Sequence, residues 1–247
     1  MIIISTGSSQ VDRLLSGGIR SGLITEIYGD SGSGKTQFCF SLCVNFLKNN
    51  QNQTAIFVDT QGTFRPERIS QMSPQDKKED ILNRISVYRP LSSKSQLEIA
   101  ERIKKSSSKL IIFDSLTYLF SNEPQGYRRH LSIRYHLHEL ALLAITSDRA
   151  IVVTNMIRNI VQKEDITTIT SGKYKNPYQS TNTATDYSNI IKKQEFMKTS
   201  VSIYSHIKLK LEIINQDQIL FNASLVQPRN PRHVLFTITG DGINDVI

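Results

Sequence analysis

LITEIYGDSGSGKTQFCFSLCVNFL, Leu23 to Leu47, decides how this chain folds. It opens on an apolar run that reads as a buried strand, passes through a turn of Gly and Ser, and continues as a helix over 35–48. The turn, GDSGSGKT, matches G-x-x-x-x-G-K-T, and it lies between a strand and a helix, the context that gives that pattern meaning. Its glycines let the backbone curl so that successive N–H groups face phosphate oxygens. The helix start adds partial positive charge. Gly29, Asp30, Ser31, Gly32, Ser33, Gly34, Lys35 and Thr36, with Gln37 behind them, are therefore the expected nucleotide-binding stretch. Lys35 is expected to face the β and γ phosphates, and Thr36 to ligate Mg²⁺. A Gly-rich turn with a chance lysine is the bland alternative, and it leaves the flanking strand and helix unexplained.

Outward from this stretch, apolar runs alternate with helical patterns. Strands are expected at 23–28, 55–59, 85–89, 110–114 and 150–155, and helices at 35–48, 76–84, 94–105 and 129–147. Near-continuous Ile, Val and Phe in the strands implies an α/β fold with a mostly parallel sheet covered on both faces. After residue 205, KLKLEII, ILFNASLV and VLFTIT follow one another with short turns and read as antiparallel edge strands. LIIFDSL sets Asp114 at the end of a buried strand, where a carboxylate is expected to hold Mg²⁺ through water. An Asp there also caps helices, so its weight comes from its position downstream of the cradle. From 156 to 205 periodicity fades into Thr, Ser, Asn and Lys, which reads as one long functional loop inside a single domain spanning 1–247.

Composition narrows the class. The formal charge of +8 fits either a lysine-rich solvated surface or a polyanion partner. No apolar run reaches the ~20 residues of a bilayer span, so a soluble protein with no membrane partner is expected. Cys39 and Cys43 fall on one helical face and read as buried thiols, since two cysteines without His or Cys neighbours make no zinc site. His130, His136 and His138 lack a matching carboxylate or Cys pattern and read as surface or core histidines.

Several blocks together resemble the RecA/RadA recombinase family: the opening STGSSQVDRLLSGGIRSGLITEIYGDSGSGKTQ, then VDTQGTFRPERI, LIIFDSL, IVVTNMIRN and the final FTITGDGIND. GTFRPER is the most specific of them. The resemblance implies a RecA-like P-loop NTPase core that takes ATP and Mg²⁺ and binds single-stranded DNA. Starting directly at the core, the layout is most similar to the family's short archaeal paralogue, RadB, or to the core of a eukaryotic paralogue. That implies no N-terminal helix-hairpin-helix domain, and a full-length RecA/RadA-type recombinase as partner. An archaeal protein of this kind is expected in the cytoplasm, a eukaryotic one in the nucleus.

Two positions depart from the family pattern. The family glutamate aligned with Gln61 activates the attacking water, and an amide has no comparable basic oxygen. Loss of a general base costs ~10²–10⁴ in rate, or about 3–5 kcal/mol. In VTNQ the family glutamine senses the γ-phosphate, whereas Met156 stands there in IVVTNM. A thioether donates nothing to a phosphate. Compensation by Asn155 or a neighbour is the alternative. With an intact cradle, these changes imply ATP binding with weak or absent hydrolysis.

By the same resemblance, DNA is expected at two loops. SNEPQGYRRHLSIRYH offers Arg128, Arg129 and Arg134 with Tyr127 and Tyr135. The 156–205 segment offers Arg158, Lys163, Lys173, Lys175, Lys192, Lys193 and Lys198, interleaved with Tyr174, Tyr178, Tyr187 and Phe196. Basic groups for phosphates and aromatic rings for bases suit single strands. Each lysine singly is equally a solvated charge. The leading reading is an accessory recombinase paralogue in recombination and repair. Its rivals are a DNA-dependent ATPase that forms its own filament and a signalling ATPase similar to the KaiC group.

Overall fold

The computed structural model describes residues 1–161, 191–215, 217, 219–229 and 232–246. A two-stranded ribbon, β1 (Ile3–Ile4) and β2 (Ile19–Arg20), frames helix α1 (Ser9–Leu14). Strand β3 (Ile24–Gly29) runs through the phosphate loop into α2 (Lys35–Asn49). Then come β4 (Ala55–Asp59), α3 (Pro66–Met72), α4 (Lys78–Asn83), β5 (Ile85–Tyr88) and α5 (Ser93–Lys104). β6 (Leu110–Asp114), α6 (Tyr127–Ser147) and β7 (Ala150–Val161) follow. The remainder is β8 (Ile191–Glu195), α7 (Lys198–Ser202), β9 (Ile207–Asn215), β10 (Leu220–Gln227), β11 (His233–Thr239) and β12 (Gly242–Asp245).

Among the described residues the main sheet runs β12-β11-β10-β9-β3-β7-β6-β4-β5, with β8 paired to β7 alone. The strands from β9 to β5 are parallel to their neighbours, whereas β9 through β12 form an antiparallel meander. This is the expected α/β class. The period of two explains why its central strands read as unbroken apolar runs: both faces are covered. Leu110 and Ile112 pack with Phe57 and Val152 on the face toward α2, while Ile111 and Phe113 pack with Val58 and Val153 on the face toward α6. Helix starts follow local chemistry, as at α5, where Ser92 and Ser95 form a reciprocal capping box.

Two expectations need correction. The 156–205 segment is not loop throughout: β7 continues to Val161 and pairs antiparallel with β8, from Ile157 opposite Glu195 to Val161 opposite Ile191, and α7 follows. The β-branched and apolar residues of MIRNIV carry the strand on, although its polar neighbours mask the alternation. Second, Arg128, Arg129 and Arg134 lie on the first turns of α6, which starts two residues earlier than expected, behind Gly126. Helix α3, missed in the sequence, begins at Pro66, a residue suited to the first helical position.

Cys39 and Cys43 are both buried free thiols on α2. The three histidines diverge. His130 Nδ1 lies 2.8 Å from Ser200 Oγ, and the His138 ring meets that of Tyr204. His136 is 1% exposed, packed edge-on to Phe113, with both ring nitrogens unpartnered. Burial lowers its pKa from 6.5 to about 4. The folded state therefore holds this ring neutral, and stability present above pH 6.5 is lost as pH falls toward 4. We expect a loss of about 3 kcal/mol over that interval, from 1.36 kcal/mol per pKa unit. His136→Phe should flatten this part of the urea-unfolding pH profile, and an unchanged slope would refute the assignment.

Candidate nucleotide and nucleic-acid site

The phosphate loop joins β3 to α2 at the carboxyl edge of the sheet. Gly29 is required by space, and Gly34 by space and dihedral angle together. A Cβ on Gly29 would lie 2.2 Å from Leu211 O, and one on Gly34, at φ +84°, would lie 2.6 Å from Ile238 Cδ1. The Lys35 ammonium donates to Gly29 O at 2.9 Å and Asp30 O at 2.7 Å. Burial pulls its pKa below the ordinary value, opposed by Asp114 and Asp30.

Asp114, 3% exposed, joins three elements. Its Oδ2 accepts from Thr36 Oγ1 at 2.7 Å, and its Oδ1 from Thr154 Oγ1 at 2.5 Å. Burial raises its pKa, and the bonds from Thr154 and Thr36 oppose that. A hydroxyl and a carboxylate held side by side are hard oxygen donors, which suits Mg²⁺ at this place. The residues present thus fit the expected pair of nucleotide and cation.

Gln61 and Met156 line the same cavity as the cradle, together with Thr63, Ser115 and Tyr118, in a volume of about 500 Å³. Sequence reasoning missed what holds Gln61 there. Asp59, buried at the end of β4, accepts backbone N–H bonds from Gln61 at 3.3 Å, Thr63 at 2.9 Å and Phe64 at 3.0 Å. Arg89 pairs with it at 3.4 Å. Burial raises the Asp59 pKa, but the Phe64 and Thr63 amides and Arg89 outweigh it and hold the carboxyl below its ordinary range. Asp59 followed by small polar residues is the signature of a side-chain-capped turn, and it was legible in DTQGT.

Asn155, weighed above as a substitute for a phosphate sensor at position 156, is already engaged. Its amide donates to Glu26, Glu195 and the Phe196 carbonyl, and its oxygen accepts from Thr117 and the Met156 N–H. The side chain is fully buried and does not line the cavity. Arg68 was also overlooked. It donates to Gln37 at 2.7 Å, to Gly240 O at 2.9 Å and to Thr239 O. One guanidinium from GTFRPER thereby ties the start of α2 to the GDGIND turn.

The expected DNA residues divide. Arg129 and Arg158 approach one ring, Phe196, at 5.4 and 4.1 Å, which brings the two predicted loops together. Arg128 is exposed, as are Tyr127 and Tyr135, while Arg134 is half-buried. Lys193 reaches the cradle instead and pairs with Asp30 at 2.9 Å. Lys192 lies on β8, with its side chain outside the described residues; Lys163, Lys173, Lys175, Tyr174, Tyr178 and Tyr187 also lie outside them. Among the described residues no cluster of His, Cys, Asp and Glu could hold a metal, and no helix is long and apolar enough to cross a membrane.

The Rad51 family model matches residues 1–185. Curated relatives include the DNA repair and recombination protein RadA of Metallosphaera sedula, 38% identical over 170 residues, covering 62% of this chain and 52% of the relative. The protein of the same name from Aeropyrum pernix is 38% identical over 169 residues, covering 62% and 53%. The chain thus matches about half the length of these relatives.

If Asp59 holds the Gln61 turn, Asp59→Ala should cost ~2 kcal/mol, because the buried Phe64 amide and the half-buried Thr63 amide lose their acceptor. Urea unfolding measures it, and a change below a few tenths of a kcal/mol would show that the turn holds itself.

Proposed function

Because the chain belongs to the Rad51 family, we propose that it binds ATP with Mg²⁺ and single-stranded DNA, and serves homologous recombination and DNA repair as an accessory paralogue with weak hydrolysis. One observation carries this reading: an intact phosphate cradle shares its cavity with an amide at Gln61 and a thioether at Met156. Support for the repair setting comes from the relatives, both called DNA repair and recombination protein RadA.

Bound Mg²⁺ supplies neutralisation of phosphate charge, held by Thr36 and Asp114. The chain's own residues do the rest. The N–H groups of the loop bind phosphate oxygens, and Lys35 exchanges its carbonyl partners for the β and γ phosphates. Gln61 orients water by hydrogen bonding but accepts no proton from it, so the largest missing contribution is the base. Met156 gives the γ-phosphate no donor. Turnover is slow while binding persists, which suits a protein that assists a full-length recombinase through its ATP-bound form.

Arg129 and Arg158 supply phosphate contacts beside the Phe196 ring. Exposed Tyr127 and Tyr135 supply stacking surfaces for bases.

The nucleotide reading predicts that Lys35→Ala abolishes ATP binding measurable by calorimetry. It also predicts that Gln61→Glu raises kcat by ~10²–10⁴ with little change in ATP affinity, since a base acts only in the transition state. A rate unchanged by Gln61→Glu would refute the assigned role of position 61.

Replacing Arg129 and Arg158 together by Gln should weaken single-strand binding. It should also lower the slope of log affinity against log salt by about 1.4, the value for two phosphate contacts. An unchanged slope would remove these two residues from the interface.

A further inference from the structure

Behind the cavity lies a charged cluster that nucleotide chemistry does not use. Glu26 on β3, Asn155 on β7, Glu195 on β8 and Lys208 on β9 are 0, 0, 7 and 2% exposed. The Lys208 ammonium pairs with Glu195 and, at 3.3 Å, with Glu26. It also donates to Ser202 at 2.7 Å and stands 4.9 Å from the Tyr28 ring centre. Asn155 Nδ2 donates to Glu26 at 2.9 Å, to Glu195 at 3.3 Å and to Phe196 O at 3.0 Å. Ser205 completes the Glu26 carboxyl at 2.9 Å.

Two carboxyls thus share one ammonium in the interior. Buried ions of this kind are poor sources of stability, because apolar side chains of the same volume serve as well. Their directional bonds do fix one arrangement of the elements that carry them. Here the element in need of fixing is β8, whose sheet partner among the described residues is β7 alone. Glu195 closes β8, and the next residue, Phe196, carries the ring beneath Arg129 and Arg158. At the other end of the same network, Asn155 Oδ1 accepts the N–H of Met156, a cavity residue, at 2.9 Å.

We propose that Glu26, Asn155, Glu195 and Lys208 are positioning residues, a buried joint that fixes the β7–β8 hairpin to the strand carrying the phosphate loop. Through it, displacement at Met156 reaches Phe196 and its two arginines without a phosphate-sensing side chain. The proposal rests on the nucleotide reading above for its trigger. It does not rest on that reading for the joint itself.

The groups facing Glu26 are Asn155 from β7, Glu195 from β8, Lys208 from β9 and Ser205 from the turn after α7. Burial, then the neighbouring Glu195, pushes the Glu26 carboxyl up to about 7. A carboxyl raised in this way favours the folded joint while protonated, and that preference is lost as pH rises from 4.5 through about 7. The hairpin should therefore loosen from about pH 5 to about pH 7.

The test is amide hydrogen exchange on the full chain at those two pH values, in peptides covering 157–161 and 191–196, with and without ATP and Mg²⁺, beside calorimetry of nucleotide affinity. In the wild type, nucleotide should slow hairpin exchange about tenfold, a typical coupling between linked sites. Glu195→Gln should keep nucleotide affinity and lose that slowing. Glu26→Gln, which keeps the shape and removes the titrating proton, should flatten the pH dependence of the hairpin. The joint is overturned if Glu195→Gln retains the full slowing, if it loses affinity and slowing together, or if nucleotide binds the wild type without affecting the hairpin. A wild type that binds no nucleotide would refute the nucleotide reading alone. The joint would then stand or fall on the pH arm, and equal profiles for wild type and Glu26→Gln would overturn it.

Discussion

The structure turns on the carboxylate of Asp114. It stands at the end of β6, held by Thr36 from the first turn of α2 and by Thr154 from β7. A buried carboxylate without partners would be neutralised or excluded, because charge in a low-dielectric interior is costly. Two hydroxyl donors make it tolerable, and in doing so they fix the relative positions of the phosphate helix and the two central strands. The candidate nucleotide site is therefore built from the same bonds that close the carboxyl edge of the sheet. Asp59, level with Asp114 on the neighbouring strand, repeats the device with backbone amides and so brings the Gln61 turn to the same cavity.

Much of this was legible in the sequence because it depends on local pattern. GDSGSGKT fixes its own conformation through glycines whose absent side chains leave room for Leu211 and Ile238. LIIFD and AIVVT read as doubly buried strands because each face of a parallel sheet is covered. The extension of β7 was not legible, since its pairing with β8 joins segments some thirty residues apart and the alternation in MIRNIV is diluted by Arg and Asn. The helical setting of Arg128 and Arg129 was obscured for a related reason: a glycine followed by Tyr, Arg and Arg carries no capping side chain.

Long-range polar contacts were the least legible. Nothing in the spacing of Gln37, Arg68 and Thr239 announces that one guanidinium joins them. Nothing in KKQEF announces that the glutamate is buried against Lys208 while the second lysine reaches the phosphate loop. A charge run usually reads as solvated surface, and here Lys193 and Glu195, two apart and so on one side of a short strand, take opposite fates because burial rises along that strand.

That change in burial along β8 bears on how the two halves of the candidate site relate. Lys193 faces outward to Asp30, 63% exposed, in a pair worth little in water and readily exchanged for a stronger anion. Glu195, two residues on, faces into the protein, where its bonds are costly to break and leave unpartnered groups if broken. The strand is therefore anchored firmly at its buried end and loosely at the cradle. In the proposed joint, changes at the phosphate loop meet little resistance at Lys193 and are carried by the buried end at Glu195. On the proposed reading, Met156 in place of a sensing glutamine changes the route of communication, from a side chain that touches phosphate to a backbone that holds a buried ion cluster.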